Sequence, residues 1–246
     1  MRFPADGLRN HLGERLDASF EEGEADNPWL VVIGHGVTGN KDRPWAVTLQ
    51  SALSEAGYSS VRMSFAGNGA SEGAFVDSTI SKEVAELRAV LEQLSVANKS
   101  ARLVYVGHSQ GGAVGVLAAA RDRRIKKLVS LAGMVRTAQF FERKFGDLVP
   151  GRDLMWDKPE CPLSAAYESD MVALGSVVGG AEAVVGPWLL VHATDDSVGP
   201  PAASHTVYAV QGRRARLVEL EGVDHVFSNG SDAAMAAVVV DWLSQS

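Results

Sequence analysis

One serine in this chain sits where a hydroxyl can be made to do chemistry. The run Leu103-Val104-Tyr105-Val106-Gly107-His108-Ser109-Gln110-Gly111-Gly112 has the spacing G-x-S-x-G, an apolar β-branched stretch ahead of it and the small-residue stretch Ala113 to Ala120 behind. That context predicts a strand, a sharp turn and a helix with Ser109 at the apex, where glycines at 107 and 111 leave room for backbone brought close by the turn. A serine hydroxyl is a poor nucleophile at neutral pH, so it needs a base and a group that orients the base. Two adjacent carboxylates, Asp195 and Asp196, follow the apolar run Trp188 to His192, and either can reach an imidazole from a strand end. His225 follows the next apolar run, in Glu221-Gly222-Val223-Asp224-His225-Val226-Phe227. His205 also follows the acids, but in a helical pattern ahead of that last run; the loop histidine, His225, is the candidate base. Nucleophilic attack on a carbonyl carbon is the chemistry such a set performs, with activity rising with pH as the base loses its proton.

Alternating elements must hold these residues. Short apolar runs at Trp29 to Ile33, Val61 to Phe65, Leu103 to Val106, Lys127 to Ala132, Trp188 to His192 and Arg216 to Leu220 alternate with helical patterns at Trp45 to Ala56, Ile80 to Gln93, Gly112 to Arg121, Ala203 to Val210 and Asp232 to Leu243. In the second helix Ile80, Val84, Leu87, Leu91 and Leu94 recur every three or four residues, a core-facing stripe. The alternation predicts an α/β fold, a mostly parallel sheet with helices on both faces. Leu8 to Glu21 alternates polar and apolar residues with no helix following, which predicts antiparallel edge strands. From Met134 to Gly186 the rhythm breaks into aromatic clusters and Gly- and Pro-containing loops. About 50 residues is small for an independent core. The reading is therefore one domain, with a core at 1–133 and 187–246 and an insertion at 134–186 placed as a lid. Phe140, Phe141, Trp156 and Tyr167 in that insertion either pack within it or grip a substrate.

At 246 residues, 46% hydrophobic and 22% charged, the chain can bury a large core. Its formal charge of −7, with no basic run longer than Arg121 to Lys127, argues against nucleic acid. No apolar stretch approaches membrane-spanning length and the first residues lack the apolar core of a signal peptide, so the chain reads as cytoplasmic. Cys161, the single cysteine, excludes an internal disulfide. His11, His35, His108 and His192 read as structural. The Gly67, Gly69 and Gly73 spacing does not fit a dinucleotide loop and reads as a tight turn, and no group of His, Cys, Asp and Glu has zinc-like spacing. Oligomeric state is not legible.

Beyond the serine turn, His35-Gly36-Val37-Thr38-Gly39-Asn40-Lys41-Asp42 resembles the HG-x-TGN segment of the cinnamoyl and feruloyl esterases. Arg62-Met63-Ser64-Phe65-Ala66-Gly67-Asn68-Gly69-Ala70-Ser71-Glu72-Gly73 resembles their R-x-D-F-x-G-x-G-x-S-x-G turn. Across nearly its full length the chain is similar to an α/β-hydrolase of that group, with the chain order Ser, Asp, His. The resemblance implies an α/β-hydrolase fold of about eight strands with a lid after strand 6. It implies Ser109 as nucleophile, His225 as base, Asp196 as acid, the backbone amides of Val37 and Gln110 as an oxyanion hole, a small-molecule ester as substrate, and no cofactor or metal. Asp196 is preferred to Asp195 because the family pattern H-G-x-x-D-x-x-V-P fits His192, Asp196 and Pro200. Two positions depart from the group: Ser64 stands where it usually has Asp, and Val37 where a larger aromatic residue is common. Thioester, peptide or C–C hydrolysis on the same fold, or a silent binding protein, are the alternatives.

Overall fold

The computed structural model describes residues 1–245, so Ser246, the end of the expected final core segment, lies outside it. Five of the apolar runs form strands buried almost throughout: β4 (Trp29–Gly34), β5 (Ser59–Met63), β6 (Arg102–His108), β7 (Ile125–Leu131) and β8 (Trp188–Ala193). Continuous apolar sequence suits a parallel strand that meets helices on both faces. The sixth run, β9 (Ala215–Leu220), is a half-exposed edge. Together with β3 (Ala18–Glu21) they make a seven-stranded sheet in the order β3-β5-β4-β6-β7-β8-β9, parallel except for β3, which pairs antiparallel with β5.

The sheet therefore has seven strands rather than about eight. The difference lies in the first edge segment: β1 (Leu8–Arg9) and β2 (Arg15–Leu16) pair only with each other. Their turn closes at Gly13 (φ +83°), and Asn10 Oδ1 accepts from the amides of Leu12 and Glu14, which curls the ribbon into a local unit. In chain order the insertion follows the fifth strand of the large sheet.

Helices α1 (Pro44–Glu55) and α8 (Ser231–Ser244) cover one face, where Trp45, Leu49, Leu53, Met235 and Val239 pack on Val31, Val104, Val129 and Leu189. The opposite face is covered by α2 (Ile80–Ala97), α3 (Gln110–Ala119) and α7 (Ala202–Gln211). The insertion adds α4 (Thr137–Phe145), α5 (Ala165–Leu174) and α6 (Val178–Ala183). Phe140, Phe141, Phe145, Tyr167 and Met171 of this segment belong to the same hydrophobic cluster as Leu87, Leu91 and Val114 of the core. Among the described residues no helix is long and apolar enough to cross a membrane.

Because β4 lies between β5 and β6, the chain leaves β4 toward one side of the sheet and returns on the other. The loops after β4 and β6 therefore diverge at neighbouring carboxyl ends, the crevice where open α/β sheets place ligands.

Candidate active site

Gly34 at the end of β4 lies beside Gly107 near the end of β6, so the loops that follow emerge together. A Cβ on Gly36 would stand 2.8 Å from Ser109 Cβ, and one on Gly111 would stand 2.5 Å from the carbonyl oxygen of His35. Only glycine lets these two loops touch. Ser109 itself takes φ 51°, ψ −116°, a conformation that costs a non-glycine residue of order 1–3 kcal/mol. It is over-determined by its surroundings. The Ser109 amide donates to Leu131 O at 2.9 Å, and its carbonyl accepts from Gly112 N and Met134 N, both at 2.9 Å.

Asp196 and His225 meet because they follow β8 and β9, which are adjacent and in register from Trp188 with Ala215 to Ala193 with Leu220. Asp196 Oδ2 lies 2.6 Å from His225 Nδ1. A carboxylate can only accept, so Nδ1 carries the proton and Nε2 keeps its lone pair. The second carboxylate oxygen, Oδ1, accepts from the amides of Val198 at 2.8 Å and Gly199 at 2.6 Å. Burial works to raise the Asp196 pKa, but hydrogen bonds from His192 and His225 and the imidazole charge outweigh it and hold the carboxyl well below the usual range. Asp195 is a turn residue, its amide bonded to Val223 O.

Three other buried imidazoles, His35, His108 and His192, are tied to the backbone. His192 Nε2 faces Gly199 O at 3.0 Å, so it donates, and Nδ1 accepts from Ser204 Oγ at 2.7 Å. Nε2 also lies 3.4 Å from Asp196 Oδ2, a second support for the carboxylate. His108 donates from Nε2 to His225 O at 2.8 Å, and its ring lies 4.9 Å from the His225 ring. His35 donates from Nδ1 to Gly36 O and accepts from Phe65 N. Burial pushes His35 down to about 4 and His108 to about 3, so both stay neutral near pH 7.

A cavity of about 170 Å³ opens on Ser109 and His225, walled by Gly36, Val37, Arg43, Trp45, Trp156 and Lys158. Among the described residues no hydrogen bond joins Ser109 to His225; such contacts often close only around substrate. The amides of Val37 and Gln110 have no acceptor within the described chain. Gln110 is the first residue of α3, where an amide is left over by helix geometry.

Of the four insertion aromatics singled out in the sequence, Trp156 stands on the cavity wall, 40% exposed. Phe141 and Tyr167 are buried against Phe145, at ring distances of 6.1 and 6.2 Å, and do not reach this cavity. Phe140 packs 6.0 Å from Phe145 and borders a separate hollow beside Arg136 and Pro200. The Tyr167 hydroxyl instead donates to Gln110 Oε1 at 2.9 Å, while Gln110 Nε2 donates to Glu83 Oε1 at 3.0 Å. Glu83 is buried, its Oε2 has no hydrogen-bond partner among the described residues, and burial pushes its carboxyl up to about 8.

Sequence reasoning missed Glu83, although it carries a signal: it stands three residues after Ile80 and four before Leu87, on the apolar stripe of α2. It also missed Arg43 and Lys158, which line the cavity and lack any local pattern. Among the described residues no group of three or more His, Cys, Asp and Glu could hold a metal ion.

Searching curated proteins gives no match. Among solved structures the chain is similar to Est1E from Butyrivibrio proteoclasticus with ferulic acid bound, at 24% identity and TM-score 0.80, covering 95% of this chain and 96% of that one. It is similar to the esterase domain of a Rhodothermus marinus protein at 22% identity and TM-score 0.75, covering 97% and 96%. A Paleococcus ferrophilus monoacylglycerol lipase aligns at 19% identity and TM-score 0.74, covering 94% and 99%. At these identities the likeness is one of fold. The sequence profile of the alpha/beta hydrolase fold matches residues 30–159, more than half of the chain. The chain therefore belongs to the alpha/beta hydrolases.

Proposed function

We propose that the protein is a serine hydrolase that cleaves small carboxylic esters through an acyl-enzyme. The observation that carries this is the 2.6 Å bond from His225 to Asp196, which leaves Nε2 basic on the cavity that also exposes Ser109. In the reaction Ser109 Oγ attacks the carbonyl carbon as His225 Nε2 takes its proton. The carbonyl oxygen becomes anionic and accepts from the amides of Val37 and Gln110, each such donor being worth about 3 kcal/mol in the transition state. His225 then protonates the departing alcohol, and a water repeats the sequence on the acyl-enzyme. Asp196 stays ionised throughout and stabilises the imidazolium. Segment 134–186 serves as a cap that supplies Trp156 to the wall. With Val37 rather than a larger ring in that wall, hydroxycinnamoyl and short acyl groups are the acyl classes proposed.

Labelling with a fluorophosphonate probe tests this reading. Stoichiometric modification of Ser109, lost in Ser109→Ala and strongly slowed in His225→Ala, is expected. Folded protein that takes no label would refute it and favour a binding protein.

A further inference from the structure

Resting on that reading, the charge on the cavity wall narrows the substrate: we infer that the site takes esters carrying an anionic carboxylate of their own. The residues lining the cavity include two full positive charges, Arg43 and Lys158, and no Asp or Glu. Both are partly buried. Among the described residues neither has a carboxylate within ion-pair distance, in a chain with 30 acidic residues and a net charge of −7. The neighbouring acid, Asp42, is engaged elsewhere, with Lys41 at 2.8 Å and Arg62 at 3.0 Å.

The two cations are gathered at one point although they come from distant chain segments. Arg43, the residue before α1, donates from Nη2 to Thr38 O at 2.9 Å; Lys158, from the insertion, lies with Nζ 3.4 Å from Thr38 Oγ1. Thr38 follows Val37 and is held at φ 55°, so its carbonyl and hydroxyl hold both heads beside the cleavage point. A guanidinium and an ammonium satisfied only by a neutral carbonyl and hydroxyl retain most of their charge for a ligand. In a partly buried site that charge rewards an anion and gives a neutral ester little. Trp45 and Trp156 also line the wall and suit the apolar segment between ester and carboxylate.

The test compares monoethyl succinate with ethyl succinamate, which replaces the carboxylate by a neutral carboxamide of the same shape. Expected is a kcat/KM ratio of about tenfold or more in favour of the half-ester. The ratio should fall in Arg43→Gln and in Lys158→Gln, approach unity in the double variant, and survive in Lys158→Arg, which separates lost charge from disturbed packing. A ratio at or below one in the parent overturns the proposal. So does an equal loss on both esters in the Gln variants, which would mean the cations serve the oxyanion instead. If neither ester is turned over, calorimetry on Ser109→Ala decides: tighter binding of the half-ester upholds the proposal, and equal binding or none overturns it. Failed fluorophosphonate labelling sinks the serine reading without touching that binding measurement.

Discussion

Replacing Glu83 by glutamine should stabilise the protein more the higher the pH. Glu83 lies beneath the start of α3, with Oε1 accepting from Gln110 Nε2 at 3.0 Å and Ser78 Oγ at 3.2 Å and Oε2 without a hydrogen-bond partner among the described residues. Its carboxyl is raised from 4.5 to about 8 because burial disfavours the charge, with Glu86 adding repulsion. The folded state therefore holds a proton that the unfolded chain releases near 4.5. Stability is fully present below that value and is lost as pH rises toward 8. Each unit of difference is worth about 1.4 kcal/mol, so the whole displacement costs about 5 kcal/mol at most, of which roughly 2–3 kcal/mol falls between pH 6 and 9. Glutamine mimics the protonated acid: its oxygen accepts from Gln110 and Ser78, and its amide takes the place of the unpartnered oxygen. The advantage of Glu83→Gln should be smallest near pH 4.5 and should grow by about 2–3 kcal/mol between pH 6 and pH 9, or about 5–10 °C in Tm at this chain length. Thermal melts of both proteins in matched buffers read the difference directly. A Tm gap that stays constant from pH 6 to 9 refutes the reasoning.

Three further outcomes follow from the same geometry. Ser109→Gly removes a side chain from φ 51° and should raise stability by about 1 kcal/mol while abolishing turnover; a fall in the urea midpoint would contradict the strain argument. Asp196→Asn keeps the shape but removes the acceptor that fixes the His225 tautomer, so kcat should drop about 10³–10⁴-fold, and near-parental turnover would show that Asp196 does not orient the base. Cys161 is 3% exposed and burial pushes its thiol up to about 11, so it should resist Ellman's reagent at pH 8 until guanidinium unfolds the chain; fast reaction of the native protein would show that the insertion opens.

What could be read from the sequence is what local pattern controls. Strands β4 to β8 are legible because burial on both faces demands unbroken apolar runs, and the turn at Ser109 because a tight elbow demands Gly107 and Gly111. Asp196 was separable from Asp195 only through the family pattern, since both follow β8; the choice depends physically on which carboxylate faces β9. The aromatics show the limit most clearly. Phe141, Trp156 and Tyr167 have the same chemistry in a sequence, and only packing sends Trp156 to the wall and the others under Phe145. Arg43 and Lys158 acquire meaning only through Thr38, a meeting that the fold creates.

Beyond its apolar contacts the insertion is clasped to the core by polar bonds at several places, two of them against α2 and α3. Asp170 of α5 accepts from Ser81 N at 3.0 Å and Ser81 Oγ at 2.5 Å at the start of α2, and Tyr167 bonds Gln110. Most of the segment is therefore held in place: changing Tyr167 removes a bond to Gln110, the first residue of the helix that begins beside Ser109. The corner at Trp156, Asp157 and Lys158 is different, since Trp156 and Asp157 are exposed and both sit in left-handed backbone. Trp156 also packs edge-on against Phe145, with ring centroids 4.7 Å apart, so a substitution at that corner would reshape the cavity wall and the insertion's aromatic cluster together.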